Sequence, residues 1–226
     1  IFIKRRLIMK RFLAGVFVTS VILLSGCGGT GNSSNKNSKS VTYSAEQKSA
    51  ANAEILNILP TMRKTHDDVD KMDIYSSLAS ESYPPQDGLY WKLIVNKGYV
   101  SEYFTIVNFT SGIEWVFWDD VVFSTNEGNW TYHIGSFAGQ SGNGKRTQIV
   151  MGGKYEFLNV SIDKIAPGLE KLIKGTNPII RLRGKEFVYD IKLTDNDMNI
   201  INTAMYTYEQ LKITGNKISF DNTEKN

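Results

Sequence analysis

The chain has 226 residues, with 26 lysines and arginines against 23 aspartates and glutamates, and a formal net charge of +3 at pH 7. Five of the basic residues and no acid lie in residues 1–26, so residues 27–226 carry 21 basic and 23 acidic side chains. This net charge of −2 lacks the basic excess of a nucleic-acid-binding domain, and we expect no nucleic-acid partner. The single cysteine, Cys27, excludes a disulfide within the chain.

A short apolar stretch lies near the start of the chain. Residues 12–24 are thirteen uncharged residues that follow Lys10 and Arg11. They are too few to cross a bilayer, which takes about 20, but their length is typical of the apolar region of a signal peptide. Met9 lies directly before Lys10, so we expect Met9 to be the natural start and residues 1–26 to contain a signal peptide that ends at Gly26.

The segment Leu24-Ser25-Gly26-Cys27 resembles the lipobox of bacterial lipoproteins. The resemblance implies cleavage before Cys27 and a lipid on its sulfur, which would anchor the protein to a membrane outside the cytoplasm. Residues 27–43 are rich in Gly, Ser and Asn and are typical of a flexible linker. We therefore expect a lipid-anchored protein of the bacterial cell envelope, on the outer face of the plasma membrane or in the outer membrane of a Gram-negative host.

Residues 44–213 are predicted to form one domain, followed by a polar and frayed tail over residues 214–226. Its first helix begins with the capping-box pattern at Ser44, continues with helical spacing to Met62 and is kinked or ended at Pro60. A middle helix is predicted over Ile165–Lys174, and a last helix follows the cap at Thr194.

Segments rich in β-branched and aromatic residues, separated by short turns, lie between the helices. Such short connections favour antiparallel pairing, and Gly184-Lys185 is predicted to form a two-residue type II′ turn. The predicted strands are Tyr90–Val95, Val100–Phe109, Ile113–Phe123, Trp130–Ile134, Thr147–Met151, Tyr155–Ile162, Ile179–Arg183 and Phe187–Leu193. The fold class is therefore predicted as α+β, one domain in which a curved, mainly antiparallel sheet is flanked by N-terminal, middle and C-terminal helices.

Two motifs suggest ligands but fail on context. Residues 139–146 match G-x-x-x-x-G-K, yet Arg146 stands where a P-loop has Ser or Thr, and a strand rather than a helix is predicted to follow. His66 and Asp70 are predicted to share one face of a charged helix end, but zinc takes three or four ligands. We predict no cofactor, no metal and no catalytic residue.

Candidate contact residues lie in the predicted strands. Strand alternation places Trp118 on the other face of its strand from Trp115 and Phe117. Trp118 is therefore the best candidate for an exposed aromatic platform. The same alternation points either Asp119 or Asp120 towards the apolar face, where burial raises the pKa of a carboxyl group, as in a catalytic acid.

The last hairpin carries charges on one face. Arg183 is predicted to lie opposite Glu186, with Arg181 diagonal to Glu186 and Asp190 further along, while Phe187 takes the core face. The pattern predicts cross-strand ion pairs, and the alternative is recognition of an anion by the two arginines.

Much of the chain from Trp115-Val-Phe117 to Tyr208-Glu209 is similar to an uncharacterised group of bacterial secreted and lipoprotein domains. Its features also include Gly153-Lys-Tyr-Glu156, Ile179–Lys185 and Tyr189-Asp190. The resemblance implies one compact domain and brings no assigned activity.

We therefore expect a non-enzymatic binding module, held at the membrane through Cys27, with an envelope protein or glycan as partner. One alternative is an envelope hydrolase that uses Asp119 or Asp120 together with Glu156. The other alternative is a surface exclusion or immunity lipoprotein.

Overall fold

The computed structural model describes residues 41–77, 87–110, 115–135, 144–150 and 153–220. The predicted signal peptide, Cys27 and most of the linker lie outside the described residues, as does most of the P-loop-like motif. The described helices are α1 (Ala45–Ile58), α2 (Ile162–Lys174) and α3 (Asp195–Thr214). The described strands are β1 (Arg63–Asp67), β2 (Met72–Ser76), β3 (Gly88–Asn96), β4 (Tyr99–Thr110), β5 (Asp120–Thr125), β6 (Gly128–His133), β7 (Lys145–Val150), β8 (Gly153–Ser161), β9 (Ile179–Arg183) and β10 (Val188–Lys192).

The strands form two antiparallel sheets, and the α+β class is confirmed. The large sheet has the order β1-β2-β3-β4-β8-β7, and the small sheet has the order β10-β9-β5-β6. The chain leaves the large sheet after β4, forms β5 and β6 in the small sheet, and returns to the large sheet with β7. The sequence suggested one sheet, because hairpin signals report only which neighbours pair and not where a chain changes sheet.

Local signals predict the starts of α1 and α3 correctly, whereas α2 begins at Ile162, three residues before its predicted start at Ile165. The Gln47 amide donates to the Ser44 hydroxyl (3.2 Å) and the Ser44 amide donates to the Gln47 side chain (2.8 Å), which completes the capping box of α1. A 3₁₀ turn over Leu59–Thr61 follows α1 directly and contains Pro60. Thr194 caps α3, as predicted.

The helices cover the inner faces of both sheets. α3 packs against α1 and β3, while α2 packs against β5 and β6 and also reaches β4 and β8. The approach of α2 to the small sheet depends on Gly168, because a Cβ there would lie 2.6 Å from the Phe123 ring and 2.7 Å from Trp130. Fully buried core side chains include Leu93, Phe104, Ile106, Phe123, Leu158, Ile165, Leu169, Leu172 and Ile180.

The polar segment after α1 is a hairpin, β1–β2, and not the predicted helix end. The carboxylate of Asp67 accepts from the amides of Val69 (2.9 Å) and Asp70 (3.0 Å) and fixes the turn. His66 lies opposite Asp73, and its Nδ1 is 2.7 Å from that carboxylate. His66 and Asp70 therefore share no helical face, and the described residues contain no group of three or more potential metal ligands.

The connection between β9 and β10 differs from the predicted turn. Arg183 pairs with Val188, so four residues, Gly184–Phe187, separate the strands, and Glu186 lies in the loop. A Cβ on Gly184 would lie 2.0 Å from the Val116 carbonyl oxygen, so glycine is needed here for close approach to another segment. The predicted type II′ turn, which needs a positive φ at Gly184, is wrong.

The chain after α3 is attached to the domain, against the expectation of fraying. The amide of Ile218 donates to the Gly98 carbonyl (2.8 Å), and Ile218 is buried. The Asn52 side chain forms two hydrogen bonds with the backbone of Ser219, at 2.8 and 2.9 Å. Residues 216–219 therefore fix α1 against the β3–β4 turn.

Candidate functional site

Residues 115–119 join the two sheets without belonging to a strand. The Val116 amide donates to Glu156 in the large sheet (2.9 Å), and the Asp119 amide donates to the Arg183 carbonyl in the small sheet (3.1 Å). Val116 and Trp118 are buried, while Phe117 is 53% exposed. Strand-like alternation holds here, but the prediction that Trp118 is the exposed residue is wrong, because Trp118 is 1% exposed.

A buried ion pair explains why Trp118 faces inwards. Lys145 on β7 lies 3.3 Å from a Glu156 oxygen on β8 and donates to the carbonyl of Trp118. Its ammonium also lies 4.2 Å from the centroid of the Trp118 ring, within cation–π range. Burial lowers the pKa of Lys145, and the Glu156 charge opposes that shift only in part. The Lys145–Glu156 pair therefore holds the backbone of Val116 and Trp118, the two neighbours of Phe117, through hydrogen bonds on their buried side.

Phe117 is held in a conformation that a bulky side chain rarely adopts. Its φ is +46°, in the left-handed region, which costs about 1–2 kcal/mol for a residue other than glycine. Its ring stacks on Trp115, with 5.5 Å between centroids and 21° between planes. Lys154 lies 5.7 Å from the Trp115 ring centroid. The fold thus maintains a strained backbone that presents an aromatic ring to solvent.

We call the surface formed by Trp115, Phe117, Ile149 and Lys154 the aromatic face. Ile149 on β7 lies directly opposite Lys154 on β8, and it is 72% exposed. The loop after Gly184 adjoins this face, because a Cβ on Gly184 would lie 3.2 Å from the Phe117 carbonyl oxygen. Contiguous exposed apolar groups of this kind mark interaction sites.

Phe187 and Val188, in and directly after that loop, are also exposed. The predicted core position of Phe187 is therefore wrong, because β10 begins only at Val188 and Phe187 lies in the connection before it.

A charged row crosses the start of β5 on the outer side of the small sheet. Asp120 accepts from Arg183 Nε (3.0 Å) and Nη2 (2.5 Å), and its other oxygen lies 2.5 Å from His133 Nδ1. Burial alone would raise the pKa of Asp120, but the hydrogen bonds from Arg183 and His133 together outweigh burial and lower it. Asp119 is exposed. Neither carboxylate points into the core. The prediction of a carboxyl group with a raised pKa is therefore wrong for Asp120.

Arg181 lies directly opposite Asp190 and contacts it through two hydrogen bonds, Nε at 2.7 Å and Nη2 at 2.8 Å. The bond to Arg181 lowers the pKa of Asp190. The prediction of cross-strand ion pairs on this face is correct, but the predicted register is wrong. Arg181 pairs with Asp190 and Arg183 pairs with Asp120, so each arginine already contacts a carboxylate.

No family model, curated protein or solved structure matches this chain. The function is therefore inferred from the lipobox-like segment that ends at Cys27 and from the geometry of the aromatic face and the charged row. In the described part of the chain, none of the helices is long and apolar enough to cross a membrane.

Three residues of the site were not predicted from the sequence. Lys145 belongs to the P-loop-like motif, and the expected strand after that motif is confirmed by β7. Lys145 lies two residues before the predicted strand Thr147–Met151, and β7 begins at Lys145, so its pairing with Glu156 on the next strand was not expected. Ile149 and Lys154 gave no signal either, because their role depends on where residues 115–119 pack.

Proposed function

We propose that this protein is a lipid-anchored envelope lipoprotein whose folded domain is a non-enzymatic binding module, and that a partner protein docks on the aromatic face. The observation that carries this proposal is Phe117, whose strained backbone is fixed so that its ring lies in solvent against Trp115. Strain of this kind concentrates at functional sites. In this proposal Cys27 carries the lipid, and residues 27–43 connect the lipid to the domain.

The aromatic face has the composition of an interface core. Aromatic side chains are enriched there, and rings that are already ordered lose little conformational entropy on binding. Phe117 and Trp115 are ordered against each other, and the Lys145–Glu156 pair beneath fixes the backbone that carries them. Such a preorganised pair favours a specific partner protein and is typical of a binding hot spot.

The acidic residues give the hydrolase alternative less support. A general acid at neutral pH needs a carboxyl pKa that is raised, whereas the pKa of Asp120 is lowered by Arg183 and His133. Glu156 is 2% exposed and bound to Lys145 in the other sheet. The two carboxylates therefore do not face one substrate site, and this separation favours binding over hydrolysis.

Cross-linking in intact cells tests the proposal. Cells that express the tagged full chain, its Phe117→Asn variant or its Phe220→Asn variant are cross-linked, and the co-purified proteins are quantified by mass spectrometry. Asn tolerates the left-handed region, so Phe117→Asn removes the ring and leaves the backbone unchanged. Phe220 is the matched control, because it is 51% exposed but contributes to a groove formed with Leu56 and Met62.

We expect one saturable protein partner with the wild type and with Phe220→Asn, and at least a tenfold lower yield with Phe117→Asn. Equal yields from all three chains would contradict docking at the aromatic face. Recovery of a glycan without a protein partner would contradict the proposed class of partner.

A further inference from the structure

We propose that β7 is an acceptor edge, to which an extended acidic segment of the partner adds as a further strand of the large sheet. This inference takes from the proposed function only that the partner is a protein. It adds the secondary structure and the charge of the segment that binds.

The pairing of β7 with β8 determines which backbone groups point outwards. The Asn159 amide donates to the Gly144 carbonyl (2.9 Å), so Gly144 and Asn159 form a hydrogen-bonded pair. Pairs alternate along an antiparallel ladder, so the amides and carbonyls of Thr147 and Ile149 point away from β8. Among the described strands, none lies beyond β7 in the large sheet. These outward groups are the template on which a further strand adds.

The two edges of the large sheet differ in how they are protected. At the opposite edge, β1 has charged or ionisable side chains at four of its five positions, which is how proteins block edge-to-edge pairing. β7 has only uncharged residues from Thr147 to Val150, and Ile149 among them is largely exposed. Within the described ranges, the edge next to the aromatic face is therefore the less protected of the two.

The charges along this edge select the partner. The charged side chains of β7 and β8 that are not buried are Arg146, which is exposed, and Lys154, which is half-buried, and both are positive. The single acid of the two strands, Glu156, is buried against Lys145. A second copy of the chain would bring like charges together, which destabilises strand pairing, whereas an acidic segment added to β7 would pair with Arg146.

The alternation of side chains sets the pattern of the added strand. Ile149 lies on the same side of the sheet as Lys154 and the aromatic face, while Arg146 lies on the opposite side. A strand added to β7 therefore places apolar side chains beside Ile149 and acidic side chains beside Arg146. An alternating acidic and apolar sequence matches this edge.

Hydrogen–deuterium exchange on the full chain in mild detergent tests the inference. The probe is a blocked seven-residue peptide of alternating Glu and Val, and the control peptide has Lys in place of Glu. We expect the Glu-Val peptide to slow exchange of the amides in residues 145–150, and the Lys-Val peptide to bind at least tenfold more weakly. Slowing at β1, or no preference between the peptides, would overturn the inference.

Two variants locate the peptide. Thr147→Pro removes an outward amide without removing a bond to β8, and it should weaken peptide binding at least fivefold, while Thr147→Val, which keeps the amide, should not. Arg146→Glu leaves the backbone unchanged and should reverse the preference between the two peptides. If Thr147→Pro does not weaken binding of the Glu-Val peptide and Arg146→Glu does not change the preference between the two peptides, strand addition at β7 is refuted.

A second copy at this edge would appear as protection of residues 145–150 that rises with protein concentration without peptide, and that result would also overturn the inference. The proposed function fails separately. Suppose that the peptide binds β7 equally well in the wild type and in Phe117→Asn, and that the yield of the cross-linked partner is also the same for both chains. That result would support strand addition at β7 and contradict docking of the partner on the aromatic face.

Discussion

The Lys145 ammonium lies 4.2 Å from the centroid of the Trp118 ring, and both residues are at most 3% exposed. This contact joins β7 to the segment that presents Phe117. The charge of Lys145 is balanced by Glu156 at 3.3 Å, and Glu156 in turn accepts from the Val116 amide. The buried Lys145–Glu156 pair therefore determines both how residues 115–119 pack and where the exposed Phe117 ring lies.

Removal of one member of this pair should destabilise the protein strongly. Lys145→Met leaves the Glu156 carboxylate buried without its counter-charge, and we expect the free energy of unfolding to fall by about 3–5 kcal/mol. The double variant Lys145→Met/Glu156→Gln should recover more than half of that loss, because no unpaired charge remains. Urea unfolding of the single and double variants measures both values.

The exposed pair of Lys174 and Glu170 is the control for this cycle. Its nitrogen and oxygen are 2.9 Å apart on the surface of α2, and Lys174→Met should cost only about 0.5 kcal/mol or less. Strictly additive effects at Lys145 and Glu156, or a cost no larger than that of the control, would show that the buried pair is not coupled.

The backbone of Phe117 makes a second prediction about stability. Because its φ is +46°, Phe117→Gly should be more stable than Phe117→Ala by about 1 kcal/mol. Phe187 is the matched control, since it is exposed and lies outside the left-handed region. There the order should reverse, with Ala more stable than Gly. Chemical unfolding of the four variants decides it, and the same order at both positions would contradict backbone strain at Phe117.

The sequence predicts well those features of the fold that depend on neighbours in the chain. Ser44 and Thr194 each begin a helix as expected, because an N-cap bonds to an amide only three residues away. Gly215 ends α3 in a left-handed conformation, φ +68°, for a similarly local reason. The antiparallel pairing of the short strands is also correct.

The candidate site depends on contacts that are distant in sequence. Alternation gave the relative facing of Phe117 and Trp118 but not which of them faces the core, because Lys145, 27 residues further on, decides it. The register of Arg183 likewise depends on the packing of Gly184 against Val116. Neither contact leaves a periodic signal in the sequence, so the aromatic face could not be located beforehand.

The lipid anchor is the next prediction. If Cys27 carries the lipid, Cys27→Ser should move the protein from the membrane fraction to the soluble fraction, or leave the precursor uncleaved. Fractionation followed by immunoblotting, with radiolabelled palmitate in parallel, measures both. Ser25→Ala is the matched control, since it changes a neighbouring position but keeps a small residue. A Cys27→Ser protein that is cleaved and fractionates like the wild type would contradict the lipoprotein proposal.

Glu102 should make stability depend on pH. It is 5% exposed, one carboxyl oxygen accepts from the Trp91 indole N–H at 2.7 Å, and its other oxygen has no hydrogen-bond partner among the described residues. Burial raises the pKa of Glu102 from 4.5 to about 8, against the smaller opposing effect of the Trp91 bond. The folded protein therefore holds a proton that the unfolded chain has already lost at neutral pH.

The sign of the effect follows from this difference. The stability contributed by protonated Glu102 is complete below about pH 4.5 and is lost as the pH rises to about 8, with a slope of at most ~1.4 kcal/mol per pH unit. Glu102→Gln keeps the acceptor for Trp91 but cannot ionise, so its stability should vary less over this range and exceed that of the wild type near pH 8. Asp120→Asn is the control, because the lowered pKa of Asp120 confines its own effect to acid pH and should leave this slope unchanged. Urea unfolding at intervals from about pH 5 to 8 tests the prediction, and parallel curves for the wild type and Glu102→Gln would refute it.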